Sequence, residues 1–342
     1  MNWIKYSKIE EIPSELWNKI GKNNPCLSYE FMSIVEELHP KDRFCYAILY
    51  KGSSIIGIGF YYVFNTLPNI FKHVSVGKIL MTGTFETYGR HFWYDDKIIN
   101  ETEFLEIFWQ LISKEKVLAF IIRDYVTNDL VIAPFFTRTS FVQIKPYSIS
   151  WITIPKNCLE LDEYLYLSLT KKHRNTYKRI LRERQIQDIS FEIEYDFDRH
   201  LKSLYALYLN VNKKANEFKS APIPQIFFSR LKHHFGDNCF CIVMRKQEQI
   251  VGFVLIIQNE NLIIPFLMGI DYNHRESHIW HNLTIESIRY AIDNRKEGID
   301  LGLTNFELKK RLGAKKIEIN MFARFRNKFI NRYFKSSLSK LI

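Results

Sequence analysis

The stretch from Phe240 to Leu303 constrains this chain most. Phe240 to Met244, Ile250 to Ile257 and Leu262 to Ile270 are short apolar runs with the length of strands, and polar turns join them. A helical stretch follows over about Ser277 to Asn294, and Gly298 starts a further strand, Ile299 to Leu303. Upstream, Phe191 to Tyr195 reads as a strand, with helices at His200 to Ala215 and Pro222 to Phe235. Downstream, Asn305 opens a helix to Leu312, and Lys316 to Phe325 is the last strand. A chain with this order must pack helices against a mixed sheet, which is an α/β (α+β) arrangement.

The first half carries a shorter version of the same order. Helices are expected at Pro13 to Ile20 and Ser28 to Leu38, and Lys51-Gly52-Ser53 joins the strands Phe44 to Tyr50 and Ser54 to Phe64 as a hairpin. A helix at Glu101 to Lys114 and strands at Val117 to Tyr125 and Gln143 to Ile154 complete it. Between the halves, Leu161, Tyr164, Leu165 and Leu169 have helical spacing and lead into a basic run. With 342 residues, two domains are expected. We place them at residues 1–155 and 189–342, joined by a basic helical segment at 156–188.

Charge narrows the partners. The chain has 48 Lys and Arg against 37 Asp and Glu, a formal charge of +11, which favours an anionic partner such as a phosphorylated cofactor, tRNA or a membrane face. The excess gathers between Lys171 and Arg184 and again from Lys309 to Lys340. Arg174, Lys178 and Arg182, spaced at i, i+4 and i+8, should share one helical face. The 5 cysteines include no Cys-x-x-Cys pair and read as buried thiols in a reducing compartment. No basic leader precedes an apolar stretch, and no uncharged run is long enough to span a bilayer, so a soluble cytoplasmic protein is expected.

Specificity rises in Gly298-Ile-Asp-Leu-Gly-Leu-Thr-Asn-Phe-Glu-Leu-Lys-Lys-Arg-Leu-Gly-Ala314. There a strand ends in an Asp-x-Gly turn and leads to a helix with Leu308-Lys309-x-x-Leu312-Gly313. The segment resembles the Fem-type (FemAB/FemX-like) branch of the GNAT acyltransferases. Leu169-Thr-Lys-Lys-His-Arg-Asn-Thr-Tyr-Lys-Arg-Ile180 is similar to the basic helix before the second domain of those proteins, and Asn24 to Phe31 to their early segment. The resemblance implies tandem GNAT-like domains, with the first half on the acceptor side and the second holding the donor and the chemistry. Two departures separate the chain from plain acetyl-CoA enzymes, and the Fem-like branch shares both. Asp271 to His278 contains no glycine for a pyrophosphate cradle, and no Tyr stands near Lys310 as a general acid.

Aminolysis of an acyl donor needs a neutral amine, a route for its proton and donors for the oxyanion. The resemblance assigns the oxyanion role to Lys309. Asp271 and Asp300, near the expected cleft, are candidates to take the proton through water, and Asp300 equally suits a cap on the turn before Gly302. His274, Arg275 and Asn305 are donor-side candidates, with Arg174 and Lys178 for its anionic part. Lys213, Lys214 and Asn216 follow a helix where Fem-like proteins place polar residues toward the acceptor. In the first half, Gly83-Thr-Phe-Glu-Thr-Tyr-Gly-Arg90 has the composition of a binding loop, which makes Glu86, Tyr88 and Arg90 acceptor candidates. His274, His278 and His281 have a permissible metal spacing, but they lack a Glu in the His-Glu-x-x-His arrangement and a nearby Cys, and no metal is expected.

The expected activity is an N-acyltransferase using acyl-CoA or an acyl carrier protein as cosubstrate, with no tightly bound cofactor. Its acceptor would be an amine on a small molecule, lipid or peptidoglycan precursor. A tRNA-dependent aminoacyl transferase is the alternative that the charge favours, and a non-catalytic binding module is the third.

Overall fold

A computed structural model describes residues 1–21, 24–65, 77–126, 133–215 and 222–338. The chain divides into two compact units, one made of Met1–Tyr147 with Glu318–Ile342 and the other of Ser148–Ile317.

Unit 1 contains strands β1 (Asn2–Tyr6), β2 (Arg43–Lys51), β3 (Ser54–Phe64), β4 (Ile79–Met81), β5 (Phe92–Tyr94) and β6 (Ala119–Val126). β1 to β4 pair antiparallel in sequence order, and β5 adds to β3. After a helix at Glu101–Ile112, β6 pairs parallel with β4. Phe104 and Phe108 of that helix crowd Gly57 and Gly59 on one face of β3. Residues of opposite parity on a strand point the other way. Phe60 accordingly meets Tyr46 and Trp17, the latter from the helix Ser14–Gly21.

Strand β7 (Val142–Thr153) crosses into unit 2, which adds β8 (Ile189–Glu194), β9 (Cys239–Lys246), β10 (Gln249–Gln258), β11 (Leu262–Ile270) and β12 (Gly298–Asp300). β8 to β11 are antiparallel neighbours, and β12 joins β11 in parallel after the helix Ile279–Asp293. From Val251 to Ile257, β10 is buried without interruption, as a strand covered on both faces requires. Ile279 and Leu283 approach Gly252, while Phe253 packs toward Phe228 of the helix Ile226–Phe235.

The two units share one strand order: four antiparallel strands, a parallel fifth reached through a helix, and an antiparallel sixth. The sixth strand is where the boundaries expected from the sequence require correction. In unit 1 it is the later part of β13 (Lys315–Phe325), whose residues from Ile319 pair with β6. In unit 2 it is the end of β7, where Trp151, Ile152 and Thr153 pair with Asp300, Ile299 and Gly298. The C-terminal residues therefore belong to unit 1, not to a 189–342 domain. The segment at 156–188 is no connector either: it forms two helices, Leu161–Ser168 and Lys171–Ile186, whose Tyr164, Leu165, Tyr177 and Ile180 enter the core of unit 2.

Candidate functional site

The parallel pair β11 and β12 defines the site in unit 2. Only Leu262 and Ile263 pair with Gly298 and Ile299, although β11 runs on to Ile270. Beyond Ile263 the pairing ends, and β11 is irregular as well. Its register with β10 jumps from Leu267 opposite Leu255 to Pro265 opposite Ile256, so Phe266 is an extra residue, a β-bulge. Pro265 to Met268 are only half-buried, within a strand otherwise buried. From Ile264 onward, the side of β11 next to β12 is therefore not paired with that strand.

Because the two strands run parallel, their C-terminal ends lie on the same edge of the sheet, and the polar candidates collect at these ends. At the end of β11, Asp271 accepts a hydrogen bond from the Asn273 amide (3.0 Å) and caps a short 3₁₀ turn. His274 stands 4.0 Å from Asp271 and 3.6 Å from Glu276, and Arg275 is exposed. The Lys214 ammonium lies 3.4 Å from the centroid of the Tyr272 ring, which brings the end of the helix Leu201–Lys214 to the same place. Asn216 lies outside the described residues.

At the end of β12 the second group forms. Asp300 is buried and accepts a hydrogen bond from the Gly302 amide (2.8 Å), which realises the turn-capping reading. Lys309, to which the resemblance assigns the oxyanion role, is 6% exposed, and its ammonium donates to the carbonyls of Leu301 (2.6 Å) and Gly302 (3.3 Å). The helix that carries it spans only Phe306–Lys310, with Asn305 exposed at its start in a left-handed conformation. The Leu-Gly pair that follows has its own reason. Leu312 is fully buried and its carbonyl accepts from the Tyr164 hydroxyl (2.6 Å), while Gly313 turns the chain at φ +90°.

The histidine spacing does not survive folding. His278 is itself left-handed (φ +47°) and the helix starts after it, at Ile279, so the three histidines do not share a helical face. His278 pairs with Glu183 (3.2 Å), whereas burial, with the charges of His278 and Arg311, pushes His281 down to about 4. Among the described residues no group of three or more His, Cys, Asp or Glu is arranged to hold a metal.

Arg174 and Lys178 lie on the helix Lys171–Ile186, both partly buried. The guanidinium of Arg174 covers the Tyr166 ring at 4.8 Å. In unit 1 the acceptor candidates are held by neighbours. Glu86 meets His39 Nε2 at 3.0 Å, the Tyr88 carbonyl accepts from Asn24 (2.7 Å), and Arg90 pairs with Glu101 (2.9 Å) above the rings of Phe92 and Tyr94. Sequence reading missed three parts of these sites: His39, the Phe266 bulge and the anchoring Tyr164. Pro265 within an otherwise apolar strand is the one local signal that pointed to the bulge.

Comparison with known proteins bears on the class. Residues 171–310 match the family described as Acetyltransferase (GNAT) domain. Across almost its whole length the fold is that of FemX, with a TM-score of 0.67 at 11% identity over 98% of this chain and 100% of that chain. L-PGS from Bacillus licheniformis aligns with a TM-score of 0.54 at 13% identity, covering 84% of this chain and 85% of its own. A tandem GNAT protein from the clavulanic acid biosynthesis pathway aligns at 0.50, with 10% identity over 84% of each chain. Two Mycobacterium tuberculosis proteins named "Putative 8-amino-7-oxononanoate synthase 2" are 25% identical over 161 residues, 46% of this chain. That match spans about a fifth of their length, 21%. Among the described residues no helix is long and apolar enough to cross a membrane.

Proposed function

We propose that unit 2 transfers an acyl group from an acyl thioester, carried by CoA or an acyl carrier protein, to an amine. The observation that carries this reading is the end of β11–β12 pairing after Ile263, combined with the Phe266 bulge. An extended thioester arm suits the side of β11 that β12 leaves, because a strand edge can hydrogen-bond such an arm while the half-buried Leu267 and Met268 cover its apolar part. The attacking amine forms the new C–N bond, the C–S bond breaks, and the amine proton leaves to water or to the departing thiolate. Both carboxylates cap a turn, but Asp300 is buried and Asp271 only half-buried, so Asp271 is the carboxylate we assign to that proton path.

Lys309 acts first as a positioning residue: its ammonium clamps the Leu301 and Gly302 carbonyls and so fixes the end of β12 beside β11. From that place it supports the oxyanion through the local field. His274, Arg275 and Asn305, at the two strand ends, are proposed to meet the polar end of the donor. The acceptor is proposed to be an amine on a small molecule, a lipid or a peptidoglycan precursor, recognised on unit 2 in part by Lys214.

A second reading, an aminoacyl-tRNA donor, is favoured by one specific observation. Lys171, Lys172, Arg179 and Arg182 are exposed along one 16-residue helix. The deciding experiment measures donor binding at about 50 and 200 mM salt. A thioester donor should lose little affinity, whereas a tRNA donor making several phosphate contacts should lose about 1000-fold or more. Mass spectrometry of ligands that co-purify with the protein gives an independent answer. Absence of acyl transfer to a panel of amines, with every thioester and charged tRNA tried, would leave only a binding module.

A further inference from the structure

We propose that the helix Lys328–Leu338 docks unit 1 on the surface of an anionic lipid bilayer. Two observations meet there. The first is the helix's division into faces. Asn331 and Phe334 hold it to unit 1: the Asn331 side chain donates to the Ser140 carbonyl (2.9 Å) and accepts from the Phe325 amide (2.8 Å), and the Phe334 ring lies 5.0 Å from that of Phe325. The opposite face presents Phe329 at 86% exposure and Tyr333 at 77%, and Ile330, at 43%, flanks it on the side toward Phe334. Aromatic side chains so exposed on a charged helix are costly in water and suit the boundary between headgroups and acyl chains.

The second observation is charge. From Ile319 onward the sequence carries Arg324, Arg326, Lys328, Arg332, Lys335 and Lys340 and no Asp or Glu. Lys328 and Arg332 are exposed and four residues apart, so they form a basic edge beside the apolar face. That pairing of a basic edge with an inserting face is the pattern of an interfacial helix on anionic lipid. A nucleic acid would use the charges and could stack on Phe329 or Tyr333, but it gives Ile330 no partner. The lipid surface uses all three. The inference does not depend on the acyl-transfer reading, and its failure leaves that reading untouched.

The test is co-sedimentation of the full chain with vesicles of phosphatidylcholine alone and of phosphatidylcholine with phosphatidylglycerol. Binding is expected with the anionic vesicles, weakening as salt is raised. The double substitution Phe329→Ser with Tyr333→Ser should cut it about tenfold or more, and Lys328→Gln with Arg332→Gln should cut binding to anionic vesicles while leaving the weak binding to neutral ones. Circular dichroism should show all variants folded, since the changed side chains are exposed. The proposal is overturned if the native chain ignores anionic vesicles or if the aromatic double variant binds them as well as the native chain does. It is equally overturned if those two substitutions instead abolish binding to a short single-stranded RNA, or dissociate a dimer seen by sedimentation velocity, while vesicle binding is unchanged.

Discussion

The ammonium nitrogen of Lys309 lies 2.6 Å from the carbonyl oxygen of Leu301, and the lysine is buried. A lysine on a solvated face would tolerate replacement at a cost below about 1 kcal/mol. This one would not. Lys309→Met should destabilise by about 1–3 kcal/mol, because two carbonyls lose a charged donor in a buried place. Turnover should also fall, by about 100- to 1000-fold if the ammonium stabilises the oxyanion, with donor affinity changed much less. Thermal unfolding, single-turnover rate and donor affinity, measured together, separate these effects. Normal turnover at reduced stability would make Lys309 a structural clamp alone, whereas Lys310→Met, at an exposed position, should be near neutral.

Gly313 and Gly302 both have positive φ, +90° and +72°, but their surroundings differ. A Cβ at Gly313 would sit 2.9 Å from the Tyr164 hydroxyl, which already donates to Leu312, whereas one at Gly302 meets nothing within 4 Å. Gly302→Ala should therefore cost about 1–2 kcal/mol of backbone strain. Gly313→Ala should cost more, about 2–4 kcal/mol, because strain and the displaced Tyr164 hydrogen bond add. Denaturant unfolding of the two variants checks the order.

His39 and Glu86 form a pH-limited latch on the loop that carries the acceptor candidates. Burial opposes the charge of His39, but the hydrogen bond and charge of Glu86, with the charge of Asp42, outweigh it and raise its pKa. Burial likewise opposes the charge of Glu86, and His39 more than offsets this, so the carboxyl is held below its usual range. The His39 contribution is complete below about pH 6.5, the ordinary histidine value, and is lost as pH rises through its raised pKa. The Glu86 contribution is present above the ordinary carboxylate value and is lost as pH falls through its lowered one. Amide exchange across residues 82–91, corrected for its intrinsic pH dependence, should show most protection between these limits. His39→Gln should flatten the alkaline side.

A charge placed at the β11 bulge should weaken donor binding without unfolding unit 2. Phe266 is half-buried at the bulge, so Phe266→Arg places a long charged side chain where the thioester arm is proposed to lie. The expected result is at least about a tenfold loss of donor affinity, the scale of one disfavoured charged or apolar contact. Stability should change by less than about 2 kcal/mol, within the usual range for a side chain that can reach solvent. Calorimetry with an acyl-CoA reads the first effect and thermal unfolding the second.

The sequence by itself determined the strands and helices whose pattern is local and strong. Ile250 to Ile257 and Leu262 to Ile270 were legible as strands because long apolar runs leave no alternative to burial, and Asn100 with Glu103 closes a capping box on the helix expected at Glu101. Strands of three residues, Ile79–Met81 and Phe92–Tyr94, gave no such signal. Tertiary structure alone decided which strand completes which unit, since the pattern of β7 or β13 states that it is a strand and not which neighbour it takes. It also decided the site. The motif around Lys309 was readable, but its burial beneath Leu301 and Gly302, the end of pairing after Ile263 and the meeting of His39 with Glu86 across 47 positions all arise from contacts distant in sequence. Local propensity carries no information about these partners, because their energies exist only once the chain has closed on itself.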